Sequence, residues 1–163
     1  MKLWIVSYSL SGNTKGIADR LHKELGGTMT EIETVVPYTG DYNAIVAQGE
    51  DEIRRGFMPD IRPLGANAAD YDTVILGTPV WAGRCSSVIR GFLKRRGYEI
   101  QNAAYLITHK SEQDYKDVFR QMDLYLQTPH VAEVSLCPDS AGYHFWRDQF
   151  VKACSDFIAE DKA

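Results

Sequence analysis

Short apolar runs alternate along this chain with segments of helical periodicity, and this alternation most restricts the folds open to it. The clearest run covers residues 71–77 (YDTVILG) and predicts a buried strand, which is followed by a helix predicted over residues 86–95. Strands that alternate with helices indicate right-handed crossovers and a parallel sheet covered on both faces. The pattern therefore predicts the α/β class.

The same reading extends to the whole chain. Five strands are predicted, over residues 3–6, 29–36, 71–77, 103–108 and 131–136. Helices are predicted over residues 14–25, 42–55, 86–95, 112–126 and 143–158, with a loop over residues 57–69. The fifth strand is less apolar than the others and is expected at a sheet edge. Residues 1–163 are thus predicted to form a single three-layer αβα domain.

Composition and charge exclude several classes of function. The net charge of −4 is spread along the chain, which disfavours nucleic-acid binding. The apolar N-terminal stretch, residues 3–6, is too short for a membrane span or a signal peptide. Three widely spaced cysteines show no metal or redox motif, so we expect a cytoplasmic protein without a metal site.

A polar loop joins the first strand to the first helix. Residues 7–14 read SYSLSGNT, with hydroxyl groups, an amide and one glycine next to a helix start. Unpaired N–H groups at a helix N-terminus attract phosphate, although Ser, Thr and Asn also occur there as ordinary caps. Ligands of parallel α/β sheets bind beyond the carboxyl ends of the strands, so the position of this loop favours a phosphate site.

The loop resembles the flavodoxin phosphate signature, [ST]-x-[ST]-G-N-T, and the resemblance extends over nearly the whole chain. It implies a five-stranded parallel sheet of order 2-1-3-4-5 and non-covalently bound flavin mononucleotide (FMN). It also implies that six consecutive residues enclose the phosphate: Ser9, Leu10, Ser11, Gly12, Asn13 and Thr14. Walker and G-x-G-x-x-G signatures are absent.

A second loop, predicted after the third strand, is similar to the ring-binding loop of short-chain flavodoxins. It consists of Thr78, Pro79, Val80, Trp81, Ala82 and Gly83. A tryptophan beyond the end of a core strand can stack on a flavin or flank it, and it can equally close the top of the core. The resemblance favours the flavin.

A third loop departs from the family pattern. Thr108, His109 and Lys110 follow the fourth predicted strand, where flavodoxins contribute their second ring-binding segment. A cation there would favour a negatively charged flavin, whereas both side chains could also be solvated. Cys85, at a helix start, could be a thiolate or a small packing residue.

Three functions fit these features. The first is an electron carrier that shuttles electrons between redox partner proteins, as a monomer or weak dimer; the short single domain and the absence of a nicotinamide-binding module favour it. The second is an FMN-dependent NAD(P)H:quinone-type oxidoreductase that uses His109 or Tyr115 beside the flavin. The third is a flavin-binding module without turnover. No residue is predicted to be catalytic in the carrier.

Overall fold

The structure is a computed structural model that describes the backbone of residues 2–162 and the side chains of residues 2–159. Its strands are β1 (Leu3–Ser7), β2 (Thr28–Glu31), β3 (Thr73–Trp81), β4 (Arg84–Cys85), β5 (Ala103–Thr108) and β6 (Ala132–Leu136). Its α-helices are α1 (Asn13–Leu25), α2 (Tyr42–Arg55), α3 (Ser87–Arg96), α4 (Asp117–Asp123) and α5 (Tyr143–Lys162). Short 3₁₀ turns cover Ala68–Asp70 and Gly97–Glu99.

Five of the strands form a parallel sheet of order β2-β1-β3-β5-β6. This confirms the predicted order 2-1-3-4-5, because the two-residue strand β4 only pairs antiparallel with the end of β3. The sheet is central, and β6 lies at its edge as expected. The carboxyl ends of the three central strands, β1, β3 and β5, are therefore neighbours at the same end of the sheet.

Helices cover both faces because side chains alternate between the faces along each buried strand. One apolar core contains Trp4, Leu76 and Tyr105 together with Phe92 of α3. The other contains residues next to these in sequence, such as Ile75, together with side chains of α1 and α5. The predicted three-layer αβα class is confirmed.

Several predicted boundaries are wrong. β2 ends at Glu31, and the chain beyond it makes only one isolated antiparallel bridge, between Thr34 and Ile61. α4 is shorter than predicted because residues 112–116 form a loop in which Tyr115 has a φ of 53°. The predicted loop after the third strand is largely strand, since β3 continues to Trp81 and turns into β4.

None of the described helices is both long and apolar enough to cross a membrane. No group of three or more His, Cys, Asp or Glu side chains among the described residues is arranged to hold a metal ion.

Candidate functional site

A cleft of about 140 Å³ opens at the end of the sheet beyond the carboxyl ends of β1, β3 and β5. Four separate segments of the chain form its walls. Its lining residues are Leu10, Ser11, Asn13, Tyr42, Val46, Glu50, Pro79, Val80, Trp81, Ala82, Thr108, His109 and Lys110. The three loops predicted from the sequence thus meet at one place, together with one face of α2 that was not predicted.

The first wall is the loop that leads into α1. Gly12 has a φ of 89°, and its N–H donates to Ser9 Oγ over 2.9 Å. A Cβ built on Gly12 would meet no heavy atom within 4 Å, so space is open beside the loop backbone. The glycine therefore supplies both the left-handed turn and an unobstructed approach to the helix start.

The N-terminus of α1 has no protein cap. Its N-cap residue, Gly12, has no side chain that could accept from the first-turn N–H groups, Ser9 Oγ accepts from the Gly12 N–H itself, and the first turn carries no acidic residue. By contrast, Asp41 accepts from the Ala44 N–H at the start of α2, and Ser86 accepts from the Ile89 N–H at the start of α3. The start of α1 thus offers unpaired donors and a positive dipole end to an anion in the cleft.

Thr14 connects this loop to the far side of the site. Its buried hydroxyl lies 2.8 Å from the hydroxyl of Thr108 at the end of β5. A Cβ at Gly77, on the intervening strand, would lie 2.8 Å from Thr14 Cγ2. Glycine at position 77 therefore lets α1 approach the sheet closely enough for the two threonines to bond.

Trp81 is a core residue whose edge reaches the cleft. Its side chain is only 6% exposed and contacts Tyr8 and Tyr38 edge-to-face, each at a centroid distance of 5.7 Å. A Cβ at Gly49 of α2 would lie 2.7 Å from the indole, so the helix packs directly on the ring. The alternative in which Trp81 closes the top of the core describes this packing better than a free stacking face does.

Tyr38, which contacts Trp81, belongs to a polar cluster with Glu52 and Ser87. Glu52 accepts hydrogen bonds from the Tyr38 hydroxyl, over 2.5 Å, and from Ser87 Oγ, over 2.7 Å. Burial and then the bond to Glu52 raise the pKa of Tyr38, which keeps the phenol protonated and donating. The hydrogen bond to Glu52 fixes the Tyr38 ring, which packs against Trp81.

Two predicted cleft residues near Trp81, Thr78 and Gly83, do not line the cleft, and the open question about Cys85 has an answer. Thr78 is fully buried, and its Oγ1 accepts from the Ser86 N–H over 3.0 Å, which ties β3 to the start of α3. Gly83 lies at the tip of the β3–β4 turn with a φ of 74°, outside the cleft lining. Burial raises the pKa of the Cys85 thiol to about 12, so it is a packing residue rather than a thiolate.

His109 lines the cleft, but its ring nitrogens bond elsewhere. Nδ1 lies 2.7 Å from the Ser111 carbonyl oxygen, and Nε2 lies 2.7 Å from Ser135 Oγ on β6. Burial lowers the pKa of His109, against the opposing effects of the Ser111 hydrogen bond and the Asp114 charge. The imidazole is therefore a fixed part of the wall and not a mobile surface side chain.

The wall that α2 contributes was not predicted from the sequence. Tyr42, Val46 and Glu50 are spaced by four residues, so they share one helix face. Lys110 Nζ lies 3.9 Å from the centroid of the Tyr42 ring, a cation–π contact across the cleft. The spacing was visible in the sequence, but nothing local indicates which loops this face of α2 meets.

Most of the chain matches a known protein family. A family model described as flavodoxin matches residues 2–119. A search of curated proteins by sequence found no match.

Solved structures agree with the fold. A flavoprotein of Lactobacillus acidophilus, solved in complex with FMN, has a TM-score of 0.70 at 22% identity and covers 89% of this chain and 97% of its own. A protein of Bacteroides eggerthii classed as a flavoprotein has a TM-score of 0.77 at 20% identity, covering 97% and 98%. An NADH:FMN oxidoreductase in its apo form has a TM-score of 0.58 at 14% identity, covering 98% and 90%. At these identities the similarity establishes the fold alone.

Proposed function

This chain belongs to the flavodoxin family, and we propose that it is an electron carrier that holds FMN non-covalently in the cleft beyond β1, β3 and β5. The bound flavin supplies the one- and two-electron chemistry. The protein contributes binding, orientation and the electrostatic surroundings. Electrons would pass to and from redox partner proteins at the open side of the cleft.

The uncapped start of α1 carries this proposal. Neither a side-chain cap nor a first-turn acid occupies it, although α2 and α3 both have side-chain caps. A phosphate dianion would take the place of the missing cap and accept from several backbone N–H groups. The phosphate would be held by the segment Ser9–Thr14, with Gly12 leaving room for its oxygens.

The ring would lie between the α2 face and the β3–β4 turn. Tyr42 has 45% of its surface exposed and offers an aromatic face, whereas Trp81 offers only an edge. Pro79, Val80 and Ala82 form the opposite wall, and Thr108 to Lys110 close the end. A planar ring on Tyr42 would take the place that the Lys110 ammonium now has.

The contacts of His109 and Tyr115 favour an electron carrier over a reductase that uses either side chain as an acid. Both ring nitrogens of His109 are engaged away from the cleft, with Ser111 and Ser135. The Tyr115 hydroxyl lies 2.8 Å from Ser111 Oγ. His109 therefore has no free ring nitrogen for a substrate above the flavin, and the Tyr115 hydroxyl is already bonded to Ser111.

Two measurements test the function. Titration of the apoprotein with FMN should give saturable quenching of flavin fluorescence at one site per chain; a protein that does not bind FMN would refute the cofactor. The holoprotein should then be reduced by dithionite but not promptly by NADH or NADPH. Prompt bleaching by nicotinamide, with reoxidation by a quinone, would favour the reductase.

A further inference from the structure

A chain of hydrogen bonds leads from the cleft to the loop before α4. His109 Nε2 contacts Ser135 Oγ at 2.7 Å, and Ser135 Oγ in turn donates to the backbone carbonyl of Asp114. On the other side of the ring, Nδ1 contacts the Ser111 carbonyl. The half-buried imidazole thus lies between a carbonyl, which can only accept, and a hydroxyl, which has a single proton.

The number of protons on the imidazole distinguishes two states of these hydrogen bonds. A neutral imidazole has one N–H, and the Ser111 carbonyl requires it on Nδ1. Nε2 must then accept the Ser135 proton, which leaves the Asp114 carbonyl without its donor. In an imidazolium, Nε2–H donates to Ser135, and the hydroxyl is free to donate to Asp114. The two contacts of Ser135 Oγ can both be hydrogen bonds only in the imidazolium state; in the neutral state the hydroxyl turns to Nε2 and the Asp114 carbonyl must move away from it.

We propose that His109 and Ser135 form a proton-accepting pair that takes up a proton when negative charge enters the cleft. Ser135 is the positioning residue, since its hydroxyl turns from Nε2 to the Asp114 carbonyl as the proton arrives. This inference rests on the proposed function where the negative charge is that of reduced FMN. Burial lowers the pKa of His109, which leaves the pair neutral at rest and able to accept.

The charged groups around His109 are few. Asp114 and Tyr115 face it from its own loop, and Lys110 is its neighbour in sequence. Across the cleft, α2 contributes Glu50 and Tyr42. The lining residues from the α1 loop and the β3–β4 turn are uncharged. On β6, Glu133 is engaged with His130.

One electron enters the flavin and one proton enters the His109–Ser135 pair. The electron comes from a redox partner or, in the test, from dithionite, and it stays on the flavin. The proton comes from water and forms the Nε2–H bond, and no covalent bond of the protein breaks. Charge added by the electron is thereby offset within the wall of the same cleft.

The pair is tested first in the apoprotein, by NMR titration of the histidine ring nitrogens. Ser135→Ala removes the acceptor of Nε2–H, so the pKa of His109 should fall by about half a pH unit or more, because hydrogen bonds to charged groups are stronger than those to neutral ones. Ser135→Thr keeps a hydroxyl and should restore the titration. His130, bound by Asp123 and Glu133, is the internal control and should not move.

An unchanged His109 titration in Ser135→Ala would overturn the pair. If Ser135→Ala does not fold, Ser135→Cys replaces the hydroxyl by a weaker hydrogen-bonding group and should shift the pKa in the same direction. An unchanged titration in that variant would also overturn it.

Coupling to electron uptake is tested in the holoprotein by midpoint potentials between pH 5.5 and 8.5. The difference in midpoint potential between wild type and His109→Gln should vary with pH. Where one proton follows one electron, the slope should approach about 59 mV per pH unit, which is about tenfold in the reduction equilibrium constant. Lys110→Met removes a fixed charge and should shift the potential by a constant amount. A pH-independent difference for His109→Gln would overturn the coupling. If FMN does not bind, the proposed function fails while the apoprotein titration still decides whether the pair exists.

Discussion

The two halves of the cleft are built in different ways. The side proposed to hold the phosphate is one continuous segment, residues 9–14, which offers mainly its backbone and the start of α1. The ring side combines side chains from α2, the β3–β4 turn and the loop after β5. A backbone site needs only a local turn and a glycine, whereas a side-chain wall needs packing between distant segments. The first is therefore visible in the sequence, and the second is not.

Trp81 and Tyr42 make the same contrast within the ring side. The tryptophan belongs to a loop that resembles a flavin loop, yet it is buried between Tyr8, Tyr38 and α2. The tyrosine carries no family signature, yet its ring is the exposed aromatic face of the cleft. The resemblance drew attention to the loop after the third predicted strand, and packing decided which ring is exposed in the cleft.

The largest effect is expected from Trp81→Ala. Removing a buried indole should lower the free energy of unfolding of the apoprotein by about 3–5 kcal/mol, measured by urea denaturation. Tyr42→Ala is the comparison and should cost far less, because half of its ring is already in water. Near-wild-type stability of Trp81→Ala would mean that the ring is not part of the core.

Gly12→Ala should come next and act on the phosphate side. A Cβ at φ 89° strains the loop by about 1–2 kcal/mol, which should weaken FMN binding about tenfold in a fluorescence titration. Gly56→Ala is the matched control: Gly56 has a φ of 66°, also has open space, and ends α2 at the end away from the cleft. Equal loss of FMN affinity in both variants would contradict a specific role for Gly12.

Tyr42→Ala should weaken FMN binding by a smaller factor. Loss of one aromatic stacking partner is worth about 0.5–1.5 kcal/mol, or roughly three- to tenfold in the dissociation constant. Tyr42→Phe keeps the ring face and should bind FMN like the wild type. An Ala variant with unchanged affinity would show that the flavin does not lie on this face of α2.

The smallest effect concerns the bond that joins the two halves, between Thr14 and Thr108. Valine at either position leaves the other hydroxyl buried and unpaired, so the double variant should be more stable than the sum of the single losses predicts. We expect a coupling energy of about 0.5–1.5 kcal/mol from a double-mutant cycle in urea. Additive losses would mean that the two halves are held together by other contacts.

Much of the fold followed from local patterns. The alternation of apolar runs and helical periods predicted the parallel sheet, the resemblance to flavodoxins implied its strand order, and the predicted bounds of α2 and β5 match the structure. Errors fell where tertiary contacts override local preference. β3 extends to Trp81 because β4 pairs with its end, and α4 is short because the loop before it folds around His109.

The sequence by itself determined the loop between β1 and α1, since a strand, a polar turn with Gly12 and a helix start are consecutive and need no distant partner. Only the tertiary structure decided that Trp81 is buried, that Tyr42 faces the cleft and that both nitrogens of His109 are engaged. These outcomes depend on side chains far apart in the chain, and a residue's exposure is set by what packs on it and not by its own chemistry.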